Sequence, residues 1–153
     1  MENNMTRSRG FTLIEIMVVM TIVLLLAVMA YPSYSHFTVK ARRIEGQVAL
    51  LDLMQKQERY FSQHHTYLAF SADSDGPTQT LFKWWSGERA LRSAYEMRGQ
   101  ACPGQDLDRC IELHALPGTA KVDSAFVDKH CQTLMLTSVG QHSATGTGQG
   151  CWP

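Results

Sequence analysis

The chain has 153 residues, with 14 basic and 14 acidic side chains and therefore no formal net charge. This length suits one modest domain together with an anchoring segment. The balanced charge excludes a strong electrostatic field that would draw nucleic acid or acidic lipid. The apolar residues are concentrated in one run near the N-terminus, and all four cysteines lie in the C-terminal third.

The first predicted element is an apolar run of 24 residues, 11–34, whose only charged side chain is Glu15. As a helix that rises about 1.5 Å per residue it would extend roughly 36 Å, enough to cross a hydrocarbon core of about 30 Å. Arg7 and Arg9 precede the run, and basic residues hold that end of a span in the cytoplasm. We therefore expect a transmembrane helix, with the rest of the chain on the outer side.

Glu15 separates two interpretations of this run. An ordinary secretory signal peptide is one of them, because Val28-Met29-Ala30 would serve as its cleavage site. However, a carboxylate at the centre of a span costs about 2.5–3.5 kcal/mol, so it needs a partner. Cleavage between Gly10 and Phe11 would create an α-amino group one helical turn from Glu15, or the same amine could come from a neighbouring subunit.

The helical pattern continues beyond the apolar run, so residues 35–64 are predicted to be the amphipathic half of the same helix. Pro32 would kink this helix near the end of its apolar half. An apolar stripe with a spacing of three or four residues is expected to pack on a globular head. The stripe consists of Phe37, Ala41, Ile44, Val48, Leu51, Met54 and Phe61. The expected solvent face carries Lys40, Arg42, Arg43, Gln47, Asp52, Gln55, Lys56 and Arg59.

Residues 65–153 are predicted to form the globular head. A loop at 73–77 is followed by alternating, β-rich patterns, and the tail from residue 143 is irregular. The strand patterns cover residues 91–98, 110–118 and 132–140. Three or four antiparallel strands laid on the amphipathic helix would give an α+β roll.

The motif Gly10-Phe11-Thr12-Leu13-Ile14-Glu15, between a basic leader and a long apolar run, resembles the class III signal of type IV pilins and related pseudopilins. The position of Pro32 and the order of the elements are similar to those of pilins. The pattern C-x-T-L-x-L-x-S-x-G, the Gly/Thr tail and the terminal Cys-Trp resemble PilE-like pilins. The resemblance therefore implies a pilin roll, with a long N-terminal helix packed on a small antiparallel sheet.

The resemblance also implies a processing route. A prepilin peptidase would remove leader residues 1–10 by cutting between Gly10 and Phe11, and would N-methylate Phe11. Glu15 would then promote docking into the growing filament at an assembly platform in the inner membrane. The apolar helix would anchor a single-pass subunit with its head in the periplasm, and would later join the core of an extracellular pilus.

The four cysteines allow three pairings, and their spacing is not that of a zinc site. An oxidising periplasm favours disulfides. In the predicted strand order, a Cys102–Cys110 bond would close the turn between the first two strands, and a Cys131–Cys151 bond would pin the tail to the last strand. The second bond corresponds to the C-terminal disulfide loop of type IV pilins.

The leading functional hypothesis is a structural one. The chain would be a subunit, a minor pilin, of a type IV pilus that serves motility, adhesion or DNA uptake, with other pilins as its partners. We identify no catalytic motif, no cofactor and no metal site in the sequence. A type II secretion pseudopilin is a further alternative, although heads of that class commonly lack this cysteine framework.

A ComP-like pilin that binds DNA for natural transformation is the other alternative. The residues predicted to contact DNA are Trp84, Trp85, Arg92, Arg98 and Lys121, and other basic residues of the head are Arg89, Arg109 and Lys129. Removal of Glu2, Arg7 and Arg9 with the leader would leave 12 basic and 13 acidic side chains out of 14 each. Because this charge is balanced, we expect the head to bind duplex DNA only weakly.

Overall fold

The computed structural model describes residues 10–153, without the side chains of residues 29–36, 77 and 79. The chain divides into two compact units, Met1–Thr38 and Val39–Pro153. Helix α1, Leu13–His64, contributes to both units. The predicted leader, apart from Gly10, and the side chain of Pro32 lie outside the described residues, so the leader and the kink stay predictions.

In the first unit, α1 begins where Thr12 caps it. The hydroxyl oxygen of Thr12 accepts a hydrogen bond from the backbone N–H of Glu15 at 3.3 Å, which satisfies one of the free amides of the first turn. The apolar side chains that follow, through residue 28, are exposed. Among the residues that the structure describes, no helix is long and apolar enough to cross a membrane.

In the second unit, α1 ends at His64 because the next residue leaves the helical conformation. His65 has a φ of 55°, in the left-handed region, and its N–H still bonds to the carbonyl of Phe61 at 2.8 Å. His64 stacks on Tyr60 with 4.0 Å between the ring centroids. A short helix α2, Pro77–Leu81, and a 3₁₀ turn, Ala90–Arg92, precede the sheet.

The sheet is an antiparallel meander of four strands in the order β1-β2-β3-β4. The strands are β1 Tyr95–Ala101, β2 Ile111–Pro117, β3 Leu134–Thr137 and β4 His142–Ala144. The register places Met97 opposite Ala115 and Leu113 opposite Leu136. These strands pack on Leu50 and Leu53 of α1. The predicted α+β class, a long helix on a small antiparallel sheet, is therefore confirmed.

Two of the predicted boundaries in the head are wrong. The first strand does not begin at Leu91, because hydrogen bonds from Arg92 N–H and Ser93 N–H to the carbonyls of Arg89 and Ala90 close a 3₁₀ turn there. The tail is not wholly irregular, because a turn through Gly140, which has a φ of 79°, returns the chain so that β4 can pair with β3.

The predicted buried stripe of α1 is also wrong. Ile44, Val48 and Leu51 are exposed, whereas Leu50 and Leu53 are in the core. Ala41 is exposed as well, and the stripe residues Met54 and Phe61 are only partly buried against the core. The helix thus presents a different face to its own sheet from the one that the apolar spacing indicated. Phe37 belongs to the first unit, where it is exposed.

The face that does contact the head contains a glycine and a glutamine. Gly46 lies so close to Tyr95 that an added Cβ would be 2.7 Å from a ring carbon. The fully buried Gln57 donates to the carbonyl of Leu68 at 2.7 Å and accepts from its N–H at 3.0 Å. Gly46 permits the close approach of Tyr95, and Gln57 satisfies the backbone hydrogen-bonding groups of Leu68. Hydrophobicity alone therefore does not identify this face.

Candidate functional site

The predicted processing residues lie at the start of α1. Gly10, Phe11 and Glu15 are all exposed, and Glu15 is in the first helical turn. A negative side chain there is favoured by the partial positive charge of the helix N-terminus. Glu15 has no ion-pair partner within the described part of the chain. Its predicted partner, the α-amine of Phe11 on the same or another subunit, therefore stays a prediction.

Two disulfides close the head. Cys102 is bonded to Cys110, with 5.4 Å between the Cα atoms, across the turn between β1 and β2. Cys131 is bonded to Cys151, with 5.5 Å between the Cα atoms, and this bond ties the tail to the segment before β3. Both pairings are those expected from the strand order.

A buried ion pair joins α1 to the segment that leads into the second disulfide. Arg43 donates from Nε to Asp128 Oδ2 at 2.7 Å and from Nη2 to Oδ1 at 2.9 Å. Tyr95 donates its hydroxyl to the same carboxylate at 2.9 Å, and Cys131 donates its backbone N–H at 3.1 Å. The Asp128 side chain is completely buried, so four hydrogen bonds replace its hydration.

The electrostatics of this cluster keep Asp128 ionised. Burial by itself would raise the pKa of the Asp128 carboxyl, but the hydrogen bonds from Arg43, from the Cys131 amide and from Tyr95 outweigh burial and lower it. Burial, together with the adjacent carboxylate, raises the pKa of Tyr95. The hydrogen bond to Asp128 raises the pKa of Arg43 despite partial burial. At neutral pH the cluster is therefore a charged pair with a neutral tyrosine.

Gln47 makes a second connection between α1 and the tail, donating from Nε2 to the carbonyl of Cys151 at 2.6 Å. Arg43 and Gln47 are four residues apart and so lie on one face of the helix. Both residues were predicted to lie on the solvent face of the helix. One sequence feature could have indicated the cluster. Asp128 lies three residues before Cys131, and an aspartate at that spacing can accept a hydrogen bond from the Cys131 backbone N–H.

The tryptophans predicted to contact DNA lie in a basic, aromatic segment. Trp84 and Trp85 pack edge to face, with 5.0 Å between the ring centroids, and Lys83 Nζ lies 5.5 Å from the Trp85 ring centroid. Arg89 and Arg92 follow and are exposed. We call residues 83–92 the basic-aromatic segment. It carries three basic side chains and one acidic side chain, Glu88, whose carbonyl accepts the indole N–H of Trp85.

Arg98 and Lys121 belong to other parts of the head. Arg98 is half-buried on β1, opposite His114 of β2. Lys121 forms an ion pair with Asp73, which offsets its charge. Arg109 and Lys129 are exposed at other positions of the head. The five residues predicted to contact DNA are thus divided among the basic-aromatic segment, β1 and the loop after β2.

His114 is buried although it occupies an outward position in the alternation of β2. Its Nε2 lies 2.9 Å from a carboxylate oxygen of Glu112. Burial lowers the pKa of His114; Glu112 raises it and Arg98 lowers it further, and the net effect is downward. Among the described residues, no cluster of three or more His, Cys, Asp or Glu side chains could hold a metal ion.

Comparison with known proteins assigns these features to one family. The model described as "Prokaryotic N-terminal methylation motif" matches residues 5–31. The model described as "Type IV minor pilin ComP, DNA uptake sequence receptor" matches residues 32–135, about two thirds of the chain. The chain belongs to this family of type IV minor pilins.

Two individual proteins are similar to this pilin. The type IV major pilin protein PilA of Myxococcus xanthus (strain DK1622) is 37% identical over 65 residues, which are 42% of this chain and 30% of that protein. The match thus spans less than a third of the length of the relative. A solved type IV pilin from Shewanella oneidensis is 22% identical, with a TM-score of 0.47, over 75% of this chain and 98% of that one.

Proposed function

We propose that this protein is a minor subunit of the type IV pilus, processed, anchored and assembled through the N-terminal part of α1. The observation that carries the proposal is the continuity of the two family matches. A processing motif over residues 5–31 leads without a gap into a minor-pilin region over residues 32–135, and α1 runs through the junction. This order of matches supports a chain with a processing motif at its N-terminus, followed by a folded pilin head.

The proposed route begins with a prepilin peptidase that cuts between Gly10 and Phe11 and N-methylates Phe11. Both residues are exposed at the start of α1. The apolar helix then anchors a single-pass subunit in the inner membrane, with its head in the periplasm, until the assembly platform adds it to a filament of other pilins. The two disulfides support a head that resides in an oxidising compartment.

Incorporation into filaments tests this proposal, with Glu15→Val as the decisive variant. In the filament, Glu15 is proposed to pair with the α-amine of a Phe11 residue. Removing one member of a buried charge pair leaves the other charge without a partner, which costs about 3–5 kcal/mol. We therefore expect membrane insertion and cleavage to continue, while the ratio of subunit in sheared filaments to subunit in membranes falls at least about ten-fold. Thr12→Val, which removes the cap hydrogen bond but keeps the carboxylate, is the control and should be incorporated almost normally.

If Glu15→Val is incorporated as well as the wild-type chain, the carboxylate is not used in assembly. If the wild-type chain is absent from sheared filaments, the proposed function itself is wrong. The two failures are distinguishable because both fractions are measured on the same cells.

DNA contact is a second candidate function, favoured by one specific observation. The family model that matches residues 32–135 is described as a DNA uptake sequence receptor, and the basic-aromatic segment of this head has two exposed arginines near its half-buried tryptophans. Aromatic rings beside cationic side chains can contact bases and phosphates. The contact would be weak, because the remainder of the head supplies a compensating negative charge.

A mobility-shift assay of the full chain in detergent, at low and moderate salt, tests DNA contact. Arg92→Ala should weaken duplex binding and reduce the salt slope by about one, and Trp84→Ala should weaken it at both salt concentrations. Arg109→Ala is the matched control, because Arg109 is exposed but lies outside the basic-aromatic segment. Equal losses for Arg109→Ala and Arg92→Ala would mean that only non-specific attraction is present.

A further inference from the structure

The outward face of α1 in the second unit carries apolar side chains that its own chain leaves uncovered. Ile44 is 50% exposed, Val48 59% and Leu51 47%, and Ala41 is exposed beside them. The core contacts of the helix are made by the opposite face, so these residues are not the edge of the core. An exposed apolar stripe of this kind marks a place where another molecule packs.

The spacing of this stripe is that of a coiled-coil seam. Ala41, Ile44, Val48 and Leu51 are separated by three, four and three residues, which are the a and d positions of two successive heptads. In the second of these heptads, Val48 at the a position and Leu51 at the d position suit a two-stranded pairing. We call these four residues the seam. The exposed seam is open to a partner helix, and one of its members, Val48, also lines a cleft with Trp85 and Ser86 of the head.

The charges beside the seam select the orientation of a partner. Glu45 and Asp52 lie at e positions on one side, and Lys40 lies at a g position on the other side. Glu45 is held by the hydroxyl of Ser86, which donates to it at 2.6 Å. Lys40 is exposed and has no ion-pair partner within the described residues.

In a parallel pair of identical helices, the g position of one helix meets the following e position of the other, so Lys40 meets Glu45 of the second copy twice by symmetry. In an antiparallel pair, g positions face g positions and e positions face e positions, so Lys40 would lie beside Met54 of the other copy and would meet no carboxylate. The charge pattern therefore favours parallel pairing and disfavours antiparallel pairing.

We propose that the seam pairs in parallel with the seam of a second copy of this chain while both copies are anchored in the membrane. This inference rests on the anchoring given under the proposed function. Two heptads are shorter than a self-sufficient coiled coil, which requires three or four. Anchoring compensates for the short seam, because it confines both copies to one membrane surface at high effective concentration.

Cross-linking in membranes tests the pairing directly. Two differently tagged full-length copies, each carrying Val48→Cys, are co-expressed in a host that has no other pilins, and the membranes are oxidised. All four native cysteines are paired in disulfides, so the introduced cysteine is the free thiol in each copy. We expect a cross-linked dimer with Val48→Cys, and at least about five-fold less with Gln63→Cys, an exposed helical position outside the seam.

Charge reversal provides the matched control. With the reporter Val48→Cys in both copies, Lys40→Glu alone places glutamates opposite each other, and Glu45→Lys alone places lysines opposite each other. Each should reduce the cross-link roughly five-fold. A Lys40→Glu copy co-expressed with a Glu45→Lys copy restores both opposite-charge contacts, so the mixed pair should cross-link as well as the parent.

Each possible result has a separate meaning. A mixed pair that cross-links no better than either reversed copy alone would overturn parallel pairing, as would a Val48→Cys signal no greater than that of Gln63→Cys. A cross-link that forms only in the native host, to a different pilin, would show that the seam accepts another subunit and would overturn pairing with a second copy. Loss of the chain from the membrane fraction would instead contradict the anchoring and hence the proposed function.

Discussion

Periodic apolar residues are buried in the sheet but exposed in the second half of α1. In β1 and β2 the apolar residues of the alternation are the ones that reach the core, as Met97 and Leu113 illustrate. In α1 the most regular apolar stripe, which includes Val48, is exposed, and the buried face includes a glycine and a glutamine. A periodic apolar face therefore indicates that something covers it, but not that the same chain does.

The difference follows from the number of surfaces that each element offers. A strand has two faces, so polar residues on one leave the other for the core. A helix has enough circumference for two separate contact faces. In α1, the more regular apolar stripe lies on the face that does not pack against the head. The core face relies on close approach at Gly46 and on polar contacts from Arg43, Gln47 and Gln57, which hydrophobicity does not register.

Of the substitutions in the two faces of α1, Arg43→Ala should destabilise the protein most. The change leaves the Asp128 carboxylate buried without its counter-charge, and the free energy of unfolding should fall by about 3–5 kcal/mol. Arg42→Ala is the matched control, because the Arg42–Asp123 pair is partly exposed at 3.1 Å and should contribute about 0–1 kcal/mol. Denaturant titration of the purified, oxidised protein measures both; similar losses would mean that the Asp128 cluster does not fasten the helix.

A pair of leucine truncations compares the two helix faces directly. Leu53→Ala removes a core side chain and should cost about 2–5 kcal/mol, whereas Leu51→Ala should change the free energy of unfolding by no more than about 0.5 kcal/mol in the isolated protein. Both residues are leucines on the same helix, two positions apart, so helix propensity cancels. If Leu51→Ala were the more destabilising change, the stripe predicted from the sequence would be the buried face after all.

A smaller effect is expected from His114, the polar residue of β2 that breaks the alternation by being buried. Because its folded pKa lies below the ordinary value of 6.5, the unfolded chain takes up a proton first as the pH falls. Stability should therefore decline as the pH falls below about 6.5, and level off once the pH is below the folded pKa. Thermal unfolding from pH 8 to 5 follows this decline.

His114→Gln should remove most of that dependence, while His130→Gln, at an exposed position, should leave it unchanged. An unaltered pH profile in His114→Gln would assign the decline to other groups.

Much of the fold could be predicted because its signals are local. The C-terminal end of α1 followed from continuous periodicity and lies at His64 as predicted, whereas the helix begins at Leu13 and not at Phe11. β2 was predicted within one residue at each end because its alternation stops at Pro117-Gly118. The cysteine pairs followed from strand order, since each bond joins segments that a meander brings together.

Most of the remaining features depend on contacts between distant residues. Arg43 and Asp128 are 85 positions apart and meet only after the sheet has folded on the helix. Lys121 looked available for DNA until the fold placed Asp73 beside it. The start of β1 was missed because the alternation of Leu91 and Arg92 is also compatible with a 3₁₀ turn. Apart from the position of Asp128 three residues before Cys131, no local pattern in the sequence indicates these pairings.

The mature N-terminus of the chain in sheared filaments tests the proposed pilus subunit most directly. Intact-mass and N-terminal peptide spectrometry should find a chain that begins at Phe11, carries one additional methyl group on its α-amine and retains both disulfides. A chain that begins at Tyr31 would indicate an ordinary signal peptide. Either that result or a chain found only outside the filament fraction would contradict the pilus-subunit function.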